Sequence, residues 1–153
     1  MVGQFTPWIS WEKRTGVEES GAKLTAYGGV YLIAHFLKSP PTGTADHLDD
    51  RVVYVGEGKN LGRRWYQFER SAKHELPGHS GGWSHLEWRT KSGTSWESLH
   101  VAALPIWFAG EGDTDASGSL ARRFRMYVEQ TVLWQIVTHR TANAPRLSLL
   151  NVK

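Results

Sequence analysis

The chain has no cysteine among its 153 residues. That excludes disulfides, thiolate metal sites and a cysteine nucleophile, and leaves oxygen and imidazole as the available metal ligands. It has no apolar run approaching a membrane span, and Met1-Val2-Gly3-Gln4-Phe5-Thr6-Pro7-Trp8 lacks the basic-then-apolar order of a secretion signal. The expectation is a cytoplasmic protein with no membrane partner. A large charge excess is missing too: 18 Lys and Arg stand against 15 Asp and Glu, a net charge of +3. That balance decides nothing about a nucleic-acid partner, but the distribution says more. Lys59, Arg63, Arg64, Arg70 and Lys73 gather in one region and Arg122, Arg123 and Arg125 in another. Two basic helix faces beside one site would form a footprint for a phosphate backbone; solvated helix faces are the ordinary alternative. The length fits one domain able to bury a core without staples.

What the chain does have is a pair of tyrosine triplets. Gly29-Val30-Tyr31 lies in a run from Gly28 to Phe36 that alternates around Val30, Leu32, Ala34 and Phe36. Tyr54-Val55-Gly56 lies in a valine- and tyrosine-rich run from Arg51. Both runs read as strands, and Ser39-Pro40-Pro41-Thr42-Gly43 between them joins two antiparallel strands through a long loop. After Gly56 the chain turns into a helix from about Leu61, which carries Arg63 and Arg64 back towards the strand ends. Ser98 to Phe108 reads as a third strand in which Pro105 requires an edge position or a bulge. The glycine-, histidine- and tryptophan-rich stretch from Pro77 to Trp96 reads as loops around a short extended piece. Gly110 to Gly118 reads as an acidic loop, with Ser117 or Ser119 capping a helix from about Leu120 to His139. That helix places Leu120, Phe124, Tyr127 or Val128, Thr131 and Trp134 on one side, with Glu129 at the edge of the stripe.

Three attractive motifs fail on spacing. Gly56-Glu57-Gly58-Lys59-Asn60-Leu61-Gly62 lacks the third glycine of a dinucleotide loop at the right place and the Gly-Lys-Ser/Thr ending of a P-loop. Asp113-Thr114-Asp115-Ala116-Ser117-Gly118 opens like a calcium loop, but its twelfth position is Phe124 where a bidentate glutamate is needed. His74, His79 and His85 have no helical ligand spacing, and read as loop histidines near nucleic acid or plain surface residues.

The order Gly-Val-Tyr, then Val-Tyr-Val-Gly-Glu-Gly-Lys-Asn-Leu-Gly-Arg-Arg-Trp, resembles the signature of the GIY-YIG nucleases, with Arg64 ten residues after Tyr54 as in that family. The resemblance covers residues 28–153 and leaves 1–27, with Phe5, Trp8, Ile9 and Trp11, as an N-terminal extension packing on the domain. It implies an α+β fold, a GIY-YIG-like domain with a central three-stranded antiparallel sheet flanked by helices. It also implies a glutamate on a later helix, filled by Glu129, and an asparagine near the end, filled by Asn151 with Asn143 as a rival. One departure is Phe68, which stands where many members carry a histidine four residues after the arginine, and favours a tyrosine-centred mechanism.

The implied activity is metal-dependent endonuclease cleavage of DNA, RNA not being excluded, with 5′-phosphate and 3′-hydroxyl ends. Glu129 is a hard carboxylate suited to one Mg²⁺ or Mn²⁺, the remaining positions going to water and phosphate oxygens. Arg64 offers a planar charged fork to the non-bridging oxygens, with Lys59, Arg63 and Asn151 as further phosphate or DNA contacts. Tyr31 or Tyr54 takes a proton from the attacking water, which needs a nearby cation to lower a phenol pKa of about 10. Each of these residues has an ordinary reading as well. Strand tyrosines pack, and Glu129 four residues after Arg125 makes an exposed ion pair. Trp83, Trp88 and Trp96 either stack on bases or fill the core. The alternative function is a non-catalytic DNA- or RNA-binding module derived from a nuclease. The oligomeric state is left open.

Overall fold

The computed structural model describes residues 3–108, 115–143 and 149–151. Six strands occur in chain order: β1 (Ile9–Ser10), β2 (Glu18–Glu19), β3 (Ala22–Lys23), β4 (Tyr27–His35), β5 (Val52–Gly58) and β6 (Leu99–Phe108). Three α-helices accompany them: α1 (Leu61–Ala72), α2 (Ser80–Ser92) and α3 (Asp115–Asn143). The main sheet is antiparallel with order β1-β6-β4-β5, and β2 and β3 form a separate two-stranded ribbon. The α+β class therefore holds, but the sheet has four strands where three were expected. The fourth comes from the N-terminal segment, which pairs Ile9 with Val101 and Ser10 with His100. Pro105 sits opposite Gly29 where the β4–β6 register shifts. The bulge answers the proline's missing N–H.

Alternation along the strands divides the core in two. Val30, Leu32, Ala34, Val55, Ala102 and Leu104 face α3 and meet Val128, Val132 and Ile136, with Phe5 and Trp8 of the N-terminal segment in the same cluster. Tyr31, Ile33, Tyr54, Val101 and Ala103 face the other way onto Leu61, Trp65, Phe68 and Ala72 of α1, with Trp11 and Trp96. Both faces of the sheet are covered, so β4 is buried along nearly its whole length. No helix among the described residues is long and apolar enough to cross a membrane.

Asn60 caps α1 through its side chain, accepting from Arg63 N at 2.8 Å. Leu61, Trp65, Phe68 and Ala72 then fall on one buried face. The stretch after Pro77, read above as loops, contains α2 instead. His79 caps it by accepting from Gly82 N, and Gly93, at φ 68°, ends it in the left-handed conformation. Its two glycines are required by close packing and not by a turn. A Cβ on Gly81 would lie 2.5 Å from the Tyr54 ring, and one on Gly82 would lie 2.7 Å from Ser71 Cβ. α3 begins at Asp115, ahead of both serines expected to cap it, while residues 109–114 of the acidic loop lie outside those described.

The stripe expected on one side of α3 is split: Val128, the alternative to Tyr127, is buried, while Leu120, Phe124, Tyr127 and Trp134 are exposed. Leu120, Tyr127 and Trp134 are 67%, 67% and 71% exposed, and Ala121, Arg125, Val128, Val132, Ile136 and Arg140 form the buried face. Two long arginines occupy core-facing positions because each finds acceptors there. Arg125 pairs with Glu57 at 3.1 Å, and Arg140 donates to the carbonyl oxygens of Asp49, Asp50 and Val52.

Candidate active site

β5 is one of the two edge strands of the main sheet, and the candidate site lies beside it. Tyr31 lies opposite Gly56, and Ile33 opposite Tyr54, so both tyrosines project from the α1–α2 face. A Cβ on Gly56 would lie 2.4 Å from the Tyr31 ring, so the glycine of the second triplet makes room for the tyrosine of the first. The two phenol rings have centroids 6.2 Å apart, and Trp65 meets Tyr31 edge-on. Tyr31 is fully buried and Tyr54 is 7% exposed.

Arg64, on α1, acts electrostatically on both tyrosines. Its Nε is buried and has no hydrogen-bond partner among the described residues. Beyond it opens a cleft of about 380 Å³ lined by Glu57, Lys59, Arg63, Arg64, Gln67 and Arg122, among others. Four of those six side chains are cations. Glu57 alternates to the α3 face of β5 and accepts from Arg125, while Glu129 on α3 acts electrostatically on Glu57, Arg64 and both tyrosines. The structure thus brings Tyr31, Tyr54, Arg64 and Glu129 into one electrostatic unit from β4, β5, α1 and α3. The Arg125–Glu129 ion pair considered from spacing is replaced by Arg125–Glu57.

The ionisation of the site is dominated by burial. Tyr31 is pushed well above its ordinary pKa by burial, then by Tyr54, with Arg64 opposing. Tyr54 is pushed up to about 12 by burial, against Arg64 and with a further push from Glu129. The expected lowering of a phenol by a nearby cation is therefore present but outweighed. Glu129 is raised to about 7 by burial first and Glu57 second, Gln130 and Arg64 opposing. A half-buried carboxyl beside a second carboxyl is a setting that a divalent ion would relieve, although Arg64 and the Arg125–Glu57 pair already bring positive charge to it. Among the described residues no group of three or more His, Asp or Glu side chains is placed to hold a metal. An ion on Glu129 would take most of its ligands from water and substrate.

Asn151 sits beside the site on the open edge of β5. Its amide accepts from Val55 N at 2.9 Å and donates to Val55 O at 2.6 Å, while Leu150 N donates to Val53 O. The tail therefore extends the sheet by one short pairing, and Asn151 binds backbone there. Asn143 bonds back to His139 at the end of α3. Of the tryptophans, Trp96 is buried in the core, Trp88 lies against His35 and His85, and Trp83 is 41% exposed.

Two residues of the site were not singled out from sequence. Glu57 was hidden inside a rejected phosphate-loop motif. His79, read as a loop or surface residue, is 3% exposed and places Nε2 3.0 Å from the Tyr31 hydroxyl. Its ring packs edge-on against Phe68, with centroids 5.4 Å apart. A histidine therefore reaches the tyrosine pair from α2, next to the α1 position where Phe68 stands. The signal available in sequence was His79-Ser80-Gly81-Gly82, a histidine followed by three small residues that permit close packing. Comparison with family models, with curated proteins and with solved structures returned no match to this chain.

Proposed function

We propose that this site makes the protein a metal-dependent endonuclease of the GIY-YIG kind, hydrolysing DNA phosphodiester bonds. The observation that carries the reading is Arg64, which lines a cationic cleft and acts electrostatically on Tyr31, Tyr54 and Glu129. A duplex backbone lies along Lys59, Arg63 and Arg122, and Arg64 holds the non-bridging oxygens of the scissile phosphate by its fork. One of the two phenols takes a proton from the attacking water. Glu129 holds a single Mg²⁺ or Mn²⁺, which supplies charge neutralisation at the phosphate when bound. Asn151 keeps the β5 edge in place beside the cleft. The lack of cysteine fits a reducing cytoplasmic setting.

The second reading is a DNA- or RNA-binding module without catalysis, favoured by the burial that keeps both phenols protonated at neutral pH. Glu129→Gln separates the two. The endonuclease reading expects cleavage of plasmid DNA in Mg²⁺ or Mn²⁺ to be abolished while affinity for DNA in EDTA stays nearly unchanged. Cleavage at the parental rate by a folded Glu129→Gln protein removes Glu129 from the mechanism.

A further inference from the structure

The outward face of α3 is apolar where solvent favours polar side chains. Leu120, Phe124, Tyr127, Thr131 and Trp134 follow one another at steps of four, three, four and three residues. That is the spacing of a helix-packing seam, which keeps one line of side chains turned towards a neighbouring helix. Yet Leu120, Phe124, Tyr127 and Trp134 all stand exposed. Thr131 donates its hydroxyl to Tyr127 O at 2.9 Å within the helix, so its polar atom is already satisfied and its methyl group is left for the seam. A contiguous apolar stripe of this kind marks a surface that another surface covers.

The stripe is fitted to a second copy of the same helix. From Met126 to Thr138 the only charged residue is Glu129, which is half-buried. Aromatic and methionine side chains without charge make up the core of a protein interface, whereas a phosphate backbone needs cations such as Arg122 and Arg123, which stop one turn earlier. Side chains of this size bury about 150–250 Å² each, so the exposed parts of Leu120, Phe124, Met126, Tyr127 and Trp134 come to roughly 500 Å². Two copies face to face then remove about 1,000 Å², the size at which specific interfaces begin. A groove of about 370 Å³ beside the stripe, between Tyr127 and Thr131 on α3 and Phe5 and Thr44 opposite, extends the same surface. Parallel alignment would set Arg122 and Arg123 of both copies side by side. Antiparallel alignment about a two-fold axis separates them and opposes the helix dipoles. An axis level with Glu129 sets Tyr127 against the small Thr131 of the second copy and Phe124 against its Trp134.

We propose that the protein is a two-fold homodimer in which the outward faces of α3 pack antiparallel, with Tyr127 and Trp134 as the anchoring side chains. The inference is independent of the endonuclease reading. Where both hold, the two cationic clefts, each lined by Arg122 of its own α3, lie at opposite ends of the helix pair, and one particle presents two sites to DNA.

Sedimentation equilibrium of the full chain at micromolar concentration is expected to give twice the chain mass of 17.3 kDa. Trp134→Glu puts a charge into the seam and is expected to weaken the dimer by at least about a hundredfold, leaving a monomer with unchanged far-ultraviolet circular dichroism because the side chain is exposed in one copy. Trp134→Gln, which adds no charge, is expected to weaken it less. Since the chain has no cysteine, single-cysteine variants report the alignment without background. An equimolar mixture of Tyr127→Cys and Thr131→Cys is expected to form the mixed disulfide faster than either variant links to itself. Faster self-linkage of each variant means parallel helices and overturns the antiparallel packing. A monomer at every concentration overturns the proposal, as does a dimer that both Trp134→Glu and Tyr127→Glu leave intact. Cleavage is read separately: a dimer that cuts no DNA removes the endonuclease reading alone, and a monomer that cuts DNA removes the dimer alone.

Discussion

The two faces of one sheet carry different kinds of core. Towards α3, β4 and β6 present Val30, Leu32, Ala34, Ala102 and Leu104, and the helix answers with Val128, Val132 and Ile136. Towards α1 and α2, the same strands present Tyr31, Ile33, His35, Val101 and Ala103, and the helices answer with Trp65, Phe68, His79 and His85. The first face is largely aliphatic, with its polar atoms confined to Arg125, paired with Glu57, and Arg140, held by loop carbonyls. The second is aromatic and hydrogen-bonded, because a buried phenol or imidazole needs a partner for each polar atom. Period-two alternation in a single strand is enough to separate packing from chemistry.

Even within the aromatic face the two buried histidines of α2 differ. His79 uses both ring nitrogens, on Gly82 and Tyr31. His85 bonds His35 at 2.8 Å through Nε2, and its Nδ1 has no partner among the described residues. His35 in turn meets Ser98 Oγ at 2.7 Å, so this second pair ties β4 to α2 and to the start of β6. His79 joins the start of α2 to Tyr31 of the candidate site, and His85 joins α2 to His35 away from it. Burial alone does not separate the two; the partners of their ring nitrogens do.

The faces can be set against each other by mutation. Ile136 is fully buried on the aliphatic side. Ile136→Ala is expected to lower stability by about 2–5 kcal/mol, read by urea unfolding, with the cleavage rate per folded molecule unchanged. A selective loss of rate there would break the division. Arg64→Lys keeps the charge at the cleft but removes the fork. It is expected to slow single-turnover cleavage by at least about a hundredfold, about 2.7 kcal/mol, with little change in melting temperature. Arg63→Ala is expected to cost far less. If Arg63 proves the critical arginine, the contact to the scissile phosphate comes from the exposed side of α1 and not from the side facing the tyrosines.

Much of this arrangement is legible in the chain. The two tyrosine strands and the long breaker loop follow from alternation and from Pro40-Pro41, and the helix from Leu61 from the turn at Glu57-Gly58-Lys59-Asn60. β1 is two residues long and has no periodicity to read. α2 was obscured by Gly81 and Gly82, whose low helix propensity argues for a loop, whereas tertiary contact with Tyr54 and Ser71 demands them. The stripe read on α3 ran through Leu120, Phe124 and Trp134, which are exposed, and only Val128, the alternative to Tyr127, belongs to the buried face. That face contains Arg125 and Arg140, which are buried only because Glu57 and three loop carbonyls lie within reach. Pairings so distant in sequence leave no local trace. His79 was missed for the same reason: its value lies in Tyr31, which the chain brings to it from another element.

The central claim, a phenol acting as base beside a carboxylate that holds the metal, is tested most directly by the pH dependence of single-turnover DNA cleavage at saturating Mg²⁺. Saturation removes the weakening of metal binding expected as the Glu129 carboxyl, raised to about 7, gains its proton. A base with its pKa pushed up to about 12, as at Tyr54, has ever more of its reactive form as pH rises. The logarithm of the rate is therefore expected to climb with a slope near 1 from about pH 6 to 9, with no plateau. A plateau beginning near pH 7 would contradict the account and move the base to the carboxylate, and absence of cleavage at every pH would leave a binding module in place of an enzyme.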